Sequence, residues 1–273
     1  MSYRTILVNF NIDGPVAPLM DFAINLAARF NSHLIGFTAA GVVAPTTARH
    51  GILIDNQTMG REREEIDLRM KILRREFESL AGTHVSHEWR EAVVNPTSLL
   101  IEMSRVADLV ITGPDEVMTL GHSERCVNLG DVVLEAGRPV LVAAKDAKRI
   151  FTNTALIAWK DTREARRAVV DALPLLCQAN DVVVATVADD ADTLTQESLD
   201  DVVTFLHRHG VKALSKIIED KHESESLLTF ARSIEAELII SGAYGHSRVR
   251  EMVFGGVTRS LLAEGNSSRF LSS

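Results

Sequence analysis

The chain has 273 residues, of which 46% are hydrophobic and 24% charged, so it can bury a substantial core, has room for two domains and is not expected to be disordered. Its 29 Lys and Arg residues face 37 Asp and Glu, a net charge of −8, which predicts that it binds neither nucleic acid nor an anionic membrane. No apolar run reaches the roughly 20 residues that cross a bilayer and no secretory signal is recognised, so we expect a cytoplasmic protein.

The first half alternates short apolar runs with longer segments of helical periodicity, a pattern typical of a parallel sheet with helices on both faces. Predicted strands cover residues 5–10, 33–38, 84–90, 108–112 and 139–143. One segment rich in Arg and Glu predicts a helix with a single apolar stripe that packs in the core, formed by Ile66, Met70, Leu73, Phe77 and Leu80. Residues 40–60 are expected to form an inserted loop.

The second half follows the same plan, with strands predicted over 155–159, 181–187, 212–218, 237–241 and 269–272. Its matching apolar stripe consists of Leu199, Val202, Val203 and Leu206. Gly210 follows where a helix stop is expected. The last strand carries Arg269 where an apolar residue is expected, which predicts an exposed edge strand or a frayed end.

An internal repeat accounts for this symmetry. Residues 107–113 (ADLVITG) closely match residues 236–242 (AELIISG), and the triplet Ser-Leu-Leu at 98–100 recurs at 226–228. The chain is therefore predicted to contain two copies of one α/β unit. We predict a first domain over residues 1–147 and a second over 151–273, joined near the charged stretch 145–149.

A glycine loop near the C-terminus is the segment best suited to hold a ligand. An apolar strand ends at Gly242, and Gly245 is followed after nine residues by the pair Gly255 and Gly256. Glycine leaves no Cβ in the way and accepts positive φ, so several backbone N–H groups can point at one anion. A helix beginning after Gly256 would add its N-terminal dipole, which favours a phosphate. The alternative is a tight turn without a ligand.

With these residues the chain resembles a tandem member of the universal stress protein family, over nearly its whole length. Nucleotide-binding domains of that family carry GxxG, nine residues, then Gly and Ser or Thr after the fourth strand. Gly242, Gly245 and Gly255 match this pattern, whereas Gly256 stands at the hydroxyl position and Thr258 is the nearest replacement. The resemblance implies two tandem doubly wound domains, each with a five-stranded parallel sheet, packed as a pseudo-dimer, with further pairing into a homodimer as an option.

The resemblance also implies an adenine nucleotide in the second domain, namely ATP, with Mg²⁺ as the accompanying ion. The family often has an acidic residue after the first strand, but here Lys160 takes that position, with Asp161 as the alternative acid. Lys160 could contact phosphate or block the nucleoside pocket. The predicted cofactor-binding residues are Ala158, Trp159, Lys160, Asp161, Val187, Ala188, Ser241, Gly242, Gly245, His246, Arg248, Gly255, Gly256, Val257 and Thr258.

The first copy is predicted to hold no ligand. Gly113 is followed by Pro114, which lacks an N–H donor, and by the carboxylates Asp115 and Glu116. Asn11 takes the acidic position of its first strand. We expect this copy to keep the fold and support the second.

Motifs for catalysis are missing from the sequence: it contains no GxxxxGK[ST], GxSxG, HExxH or GxGxxG after a first strand. His246 alone does not make an active site, so we predict no catalytic residue and at most slow ATP hydrolysis. Cys126 and Cys177 lack disulfide or metal-ligand spacing and are expected to be buried thiols. Two functions remain: a nucleotide-binding regulator that a protein partner reads, or a nucleotide-free interaction or chaperone-like scaffold.

Overall fold

The structure is a computed structural model that describes residues 2–42, 56–114, 124–145, 153–190, 192–243, 256–263 and 265–273. The first half contains β1 (Thr5–Asn9), α1 (Ala17–Phe30), β2 (His33–Ala39), α2 (Asn56–Ala81), β3 (His87–Ala92), α3 (Pro96–Met103), β4 (Leu109–Thr112), α4 (Leu129–Glu135) and β5 (Val140–Val142). The second half contains β6 (Thr154–Ala158), α5 (Arg163–Leu176), β7 (Asp181–Ala188), α6 (Thr193–Arg208), β8 (Ala213–Glu219), α7 (Glu223–Ser233), β9 (Leu238–Gly242), α8 (Gly256–Ala263) and β10 (Ser268–Ser272).

The ten strands of the described residues form one sheet in the order β3-β2-β1-β4-β5-β10-β9-β6-β7-β8. Neighbouring strands are parallel within each half, and β5 and β10 pair antiparallel where the halves meet. Each half thus has the same strand order, read outward from the junction. The prediction of two tandem, doubly wound five-stranded units packed as a pseudo-dimer is confirmed.

Helices cover both faces of the sheet because the strands are apolar on both sides. One core lies under α1, α2, α5 and α6, and the other lies under α3, α4, α7 and α8. Successive residues of β10 show the alternation: Phe270 points into the first core and Leu271 into the second. At Gly36 in β2, a Cβ atom would lie 2.6 Å from the rings of Phe77 and Trp89. Glycine is therefore needed there for α2 to pack closely on the sheet.

The prediction for the last strand is wrong. β10 lies in the middle of the sheet between β5 and β9, and Arg269 is only 1% exposed. Its Nη1 donates to the Ser267 carbonyl oxygen at 3.0 Å. The antiparallel pairing of the two halves covers what would be the edge of each half alone, so the charge does not mark a solvent-exposed edge.

Side chains from one half also bond to the other. The Tyr3 hydroxyl donates to the backbone oxygen of Asp171 at 2.6 Å, and the Ser272 hydroxyl donates to the Asp171 carboxylate at 2.7 Å. Arg29 at the end of α1 donates to the Gln178 side chain after α5 at 3.1 Å. Burial raises the pKa of Tyr3 well above its ordinary value. The two halves therefore share polar contacts as well as a strand pairing.

Two further expectations are corrected. The predicted loop over residues 40–60 is helical from Asn56 onward, because α2 begins there; residues 43–55 lie outside the described ranges. Cys177 is exposed at the end of α5, and Cys126 is half-buried, so neither thiol lies in the core. No helix among the described residues is long and apolar enough to span a bilayer.

Candidate functional site

The sheet places a crevice at the same point of each half. In the second half, β6 and β9 lie side by side, with Ala158 opposite Ser241. The chain leaves β6 into α5 on one face and leaves β9 towards α8 on the other face. Strands whose connections depart to opposite faces leave an opening at their carboxyl ends, where ligands of doubly wound proteins bind. The predicted site residues Ala158 and Trp159 at the end of β6 therefore lie beside Ser241 and Gly242 at the end of β9.

Trp159 forms part of the wall rather than a free surface. It directly follows Ala158 at the end of β6, its backbone N–H donates to the Ala185 oxygen at 2.8 Å, and its Nε1 donates to the Ser198 hydroxyl at 2.9 Å. The side chain is 7% exposed. The indole is thus anchored to α6 and packs in the core under α5 and α6, directly next to the end of β6.

The two charged residues after Trp159 are both engaged. Lys160 Nζ lies 3.4 Å from each carboxylate oxygen of Glu223, the first residue of α7. Asp161 accepts from Arg166 of α5 at 2.8 and 2.9 Å. Both pairs are exposed, so each contributes little to stability and can exchange for a ligand contact. In this structure the Asp161 carboxylate turns to α5, so its role as the alternative acid stays a prediction.

The end of β7 contributes an apolar wall followed by acidic residues. Val187 and Ala188 are half-buried, and Asp189 and Asp190 after them are exposed. Asp192 caps α6 by accepting from the Thr195 N–H at 2.8 Å, and the hydrogen bonds from Thr195 lower its pKa. The Asp192 carboxylate thus stays charged near neutral pH. A phosphate here would need positive groups or backbone N–H donors to offset this acidic rim.

Gly242 has a structural reason to be glycine. A Cβ atom at this position would lie 2.5 Å from the backbone carbon of Glu164, in the first turn of α5. The neighbouring Ser241 is buried, and its hydroxyl donates to the Gly242 carbonyl oxygen at 2.9 Å. The first glycine of the motif therefore lets α5 approach β9, whether or not a phosphate binds next to it.

The remaining predicted residues lie either at the start of α8 or outside the described residues. Gly245, His246, Arg248 and Gly255 lie outside the described residues. Gly256 begins α8, and Val257 is half-buried. Thr258, in the first turn of α8, is 6% exposed. That its hydroxyl replaces the missing one at Gly256 stays a prediction.

The corresponding crevice of the first half lies between β1 and β4 and carries different groups. Asn9 donates to the Thr112 hydroxyl at 3.2 Å across the two strands, and both side chains are buried. Beyond them, Arg125 donates to both carboxylate oxygens of Asp13. This contact raises the pKa of Arg125 and lowers that of Asp13. Sequence reasoning missed the pair because its members are 112 positions apart and match no motif.

Comparisons with known proteins agree with this geometry. Residues 152–268 match the family model described as the Universal stress protein family, so the second half carries a domain of that family. None of the curated proteins compared with the chain matches it. Among the described residues, no cluster of His, Cys, Asp and Glu could hold a metal ion.

Several solved structures share the complete architecture. A universal stress protein from Archaeoglobus fulgidus DSM 4304 is 14% identical with a TM-score of 0.74, over 98% of this chain and 96% of that chain. A functionally unknown protein from Pseudomonas aeruginosa PAO1 is 14% identical with a TM-score of 0.59, over 99% and 92%. Identities this low show a common fold and no more. The fold of both halves together, and not of the second alone, is therefore that of known proteins.

Proposed function

We propose that the second half binds an adenine nucleotide, ATP with Mg²⁺, and that the protein is a nucleotide-dependent regulator of a stress response. The observation that carries the proposal is the position of the glycine pattern. Gly242 ends β9 at the crevice between β6 and β9, and Gly245 and Gly255 follow in the spacing of the family's nucleotide-binding domains. Open parallel sheets bind ligands at this point.

The surrounding residues suit the parts of a nucleotide. The half-buried Val187 and Ala188 provide an apolar surface with backbone polar groups, which fits a flat base. The start of α8 at Gly256 and the preceding glycine loop provide N–H groups for phosphate. Lys160 can exchange Glu223 for a phosphate oxygen, since both side chains of that pair are exposed. No residue is proposed to act as a catalyst.

Tryptophan fluorescence gives a direct test. The chain has two tryptophans, so the variant Trp89→Phe leaves Trp159, beside the crevice, as the only reporter. After removal of any bound nucleotide, we expect ATP with Mg²⁺ to change its emission with saturation at one site per chain, and calorimetry to give the same stoichiometry. The absence of both signals at millimolar ATP contradicts the proposal.

A matched pair of variants locates the site. Gly255→Val adds a side chain to the glycine loop and should abolish the ATP response. Gly113→Val makes the same change after β4 in the first half, where a Cβ atom would have no neighbour within 4 Å, and should leave the response intact. If both variants respond like the parent, the nucleotide binds elsewhere.

A second candidate function is a nucleotide-free interaction or chaperone-like scaffold. Two observations favour it. Lys160, which stands at the position of the family's acidic residue, is paired with Glu223. Gly242 is required for the close packing of α5 on β9, so its presence does not by itself indicate a ligand. Mass spectrometry of the freshly purified, denatured protein distinguishes the two. Co-purified adenine nucleotide supports the regulator, whereas its absence, together with no thermal shift under ATP and Mg²⁺, supports the scaffold.

A further inference from the structure

The segment Glu124–Val127, called the strap below, lies across the strand ends of the first half. It is part of the connection from β4 to α4, yet it bonds to the residues that follow β1 and β2. The Gly41 N–H after β2 donates to the Glu124 oxygen at 2.5 Å. Because β1 and β2 are neighbours in the sheet and Asn11 after β1 donates to Cys126, the strap lies over the carboxyl ends of these two strands.

Charged contacts fasten the strap at its middle. Arg125 Nε donates to Asp13 Oδ2 at 2.9 Å and Nη2 donates to Asp13 Oδ1 at 2.7 Å, a bidentate arrangement. Glu65 of α2 lies 3.4 Å from the same guanidinium, which is 22% exposed. Such paired, charge-assisted bonds are stronger and more directional than those of an ordinary surface ion pair.

The surface that receives the strap is itself held in place. Arg69 of α2 donates to the backbone oxygens of Ile12 and Gly14 at 2.9 and 3.0 Å, which fixes the loop that carries Asp13. At Gly41 a Cβ atom would collide with the Glu124 carboxylate, so a side chain there would push the strap away. Three elements, the β1 loop, the β2 end and α2, thus present a surface shaped to the strap.

We propose that the strap is a cover held shut by a latch: it lies over the ends of β1 and β2, and the bidentate contact between Arg125 and Asp13 is the latch. Opening the latch exposes these strand ends to solvent. The inference rests on contacts in the first half and is independent of nucleotide binding in the second.

The chain carries its own reporter for this motion. Cys126 belongs to the strap, is half-buried, and accepts from Asn11 Nδ2 at 3.8 Å. Cys177 is the other cysteine of the chain and is exposed. In a Cys177→Ser background, the rate at which Cys126 reacts with the thiol reagent DTNB measures how often the strap opens.

We expect Arg125→Gln to raise this rate about tenfold or more, since it removes both charge-assisted bonds. NaCl at about 1 M should raise it in the parent as well, because salt screens a partly exposed pair. Hydrogen exchange at the Gly41 amide should accelerate in parallel. The control Arg74→Gln breaks an exposed pair with Glu78 on α2 and should change neither rate.

Equal reaction rates for Cys126 in the parent and in Arg125→Gln would overturn the proposal, because the strap would then be held by backbone and apolar contacts alone. If Arg125→Gln does not fold, Arg125→Lys takes its place. Lysine keeps the charge but cannot form the bidentate contact, so the latch predicts an intermediate rate. An unchanged rate in folded Arg125→Lys, with no effect of salt on the parent, overturns the proposal equally.

Discussion

The two crevices of the sheet differ in how their strand ends are used. In the first half, Arg125 of the β4–α4 connection forms a bidentate pair with Asp13 after β1. In the second half, the charged residue after β6 forms a looser pair: Lys160 lies 3.4 Å from Glu223 at the start of α7, and both side chains are exposed. The strand order is the same in both. A duplicated fold thus repeats the arrangement of the strands, while the charged side chains beyond the strand ends are free to differ: one half has a bidentate, partly buried ion pair and the other an exposed, longer contact.

A substitution in β10 tests whether the two halves unfold independently, and it should change stability more than any other variant described below. Phe270 is fully buried in β10, opposite Leu141 of the first half and Ile240 of the second. We expect Phe270→Ala to lower the free energy of unfolding by about 3–5 kcal/mol and to destabilise both halves together. Chemical denaturation followed by tryptophan fluorescence reports both, since Trp89 lies in the first half and Trp159 in the second.

A control for this prediction is Leu214→Ala on the edge strand β8, where the side chain is 67% exposed. Its effect should stay within about 0.5 kcal/mol. Two separate transitions in Phe270→Ala, with the first half unfolding at its original denaturant concentration, would show that β10 belongs energetically to the second half alone.

The next effect compares the glycines that end β4 and β9. Gly242→Ala places a methyl group against the backbone of Glu164 and Ala165 and should cost about 1–3 kcal/mol of stability. Gly113→Ala adds the same methyl group where nothing lies within 4 Å, and should change stability by no more than about 0.5 kcal/mol. Thermal and urea unfolding measure both. Equal costs would mean that α5 does not approach β9 as closely as described.

A smaller effect concerns the polar contact between the halves. Tyr3→Phe removes the hydrogen bond to the Asp171 oxygen and should cost about 1 kcal/mol at pH 7. Burial raises the pKa of Tyr3 above its ordinary value of 10.0. The stabilisation that Tyr3 gives the folded state is therefore complete below pH 10 and is lost as the pH rises toward the higher pKa of the folded state. Above pH 10 the stability difference between parent and variant should therefore shrink. A difference that grows with alkalinity contradicts this assignment.

The smallest effect tests the latch of the first half by pH. The hydrogen bonds from Arg125 lower the pKa of Asp13 below its ordinary value of 3.8. The stabilisation that the Asp13 carboxylate gives the folded state is therefore present above pH 3.8 and is lost as the pH falls through the lower pKa of the folded state. Because the carboxylate is about half exposed, we expect Asp13→Asn to cost about 1 kcal/mol or less at pH 7. Urea unfolding at pH 7 and pH 3 should show a smaller cost in acid, and a cost independent of pH would rule out the charge of Asp13 as its source.

The local patterns predicted the elements well because each rests on neighbouring residues. The stripe from Ile66 to Phe77 is buried in α2, and Gly210, at φ +77, follows the end of α6 as its position indicated. Position 269 shows the limit. From the strand's own residues, the charge of Arg269 predicts an edge strand of the sheet. Only the pairing of β10 with β5 explains why Arg269 is buried.

For the candidate site, the sequence predicted the strand ends and the glycine spacing but not the partners of its charged residues. Glu223 and Arg166 reach Lys160 and Asp161 from helices that the motif does not include. The packing role of Gly242 was likewise hidden, since it depends on how closely α5 approaches β9. The residues from Gly245 to Gly255 remain a prediction.

From the sequence alone follow the alternation of strands and helices and the duplication, and the glycine spacing predicts where a ligand would bind in the second copy. Those properties follow from periodicity and from the short-range preferences of glycine, proline and apolar residues. Only the packing of the whole chain brings both halves into one sheet, places an arginine at its centre and holds the strap over the ends of β1 and β2. These features join residues more than 100 positions apart, such as Asp13 with Arg125 and Leu141 with Phe270, and the contact energies that select them arise only when the elements have packed together.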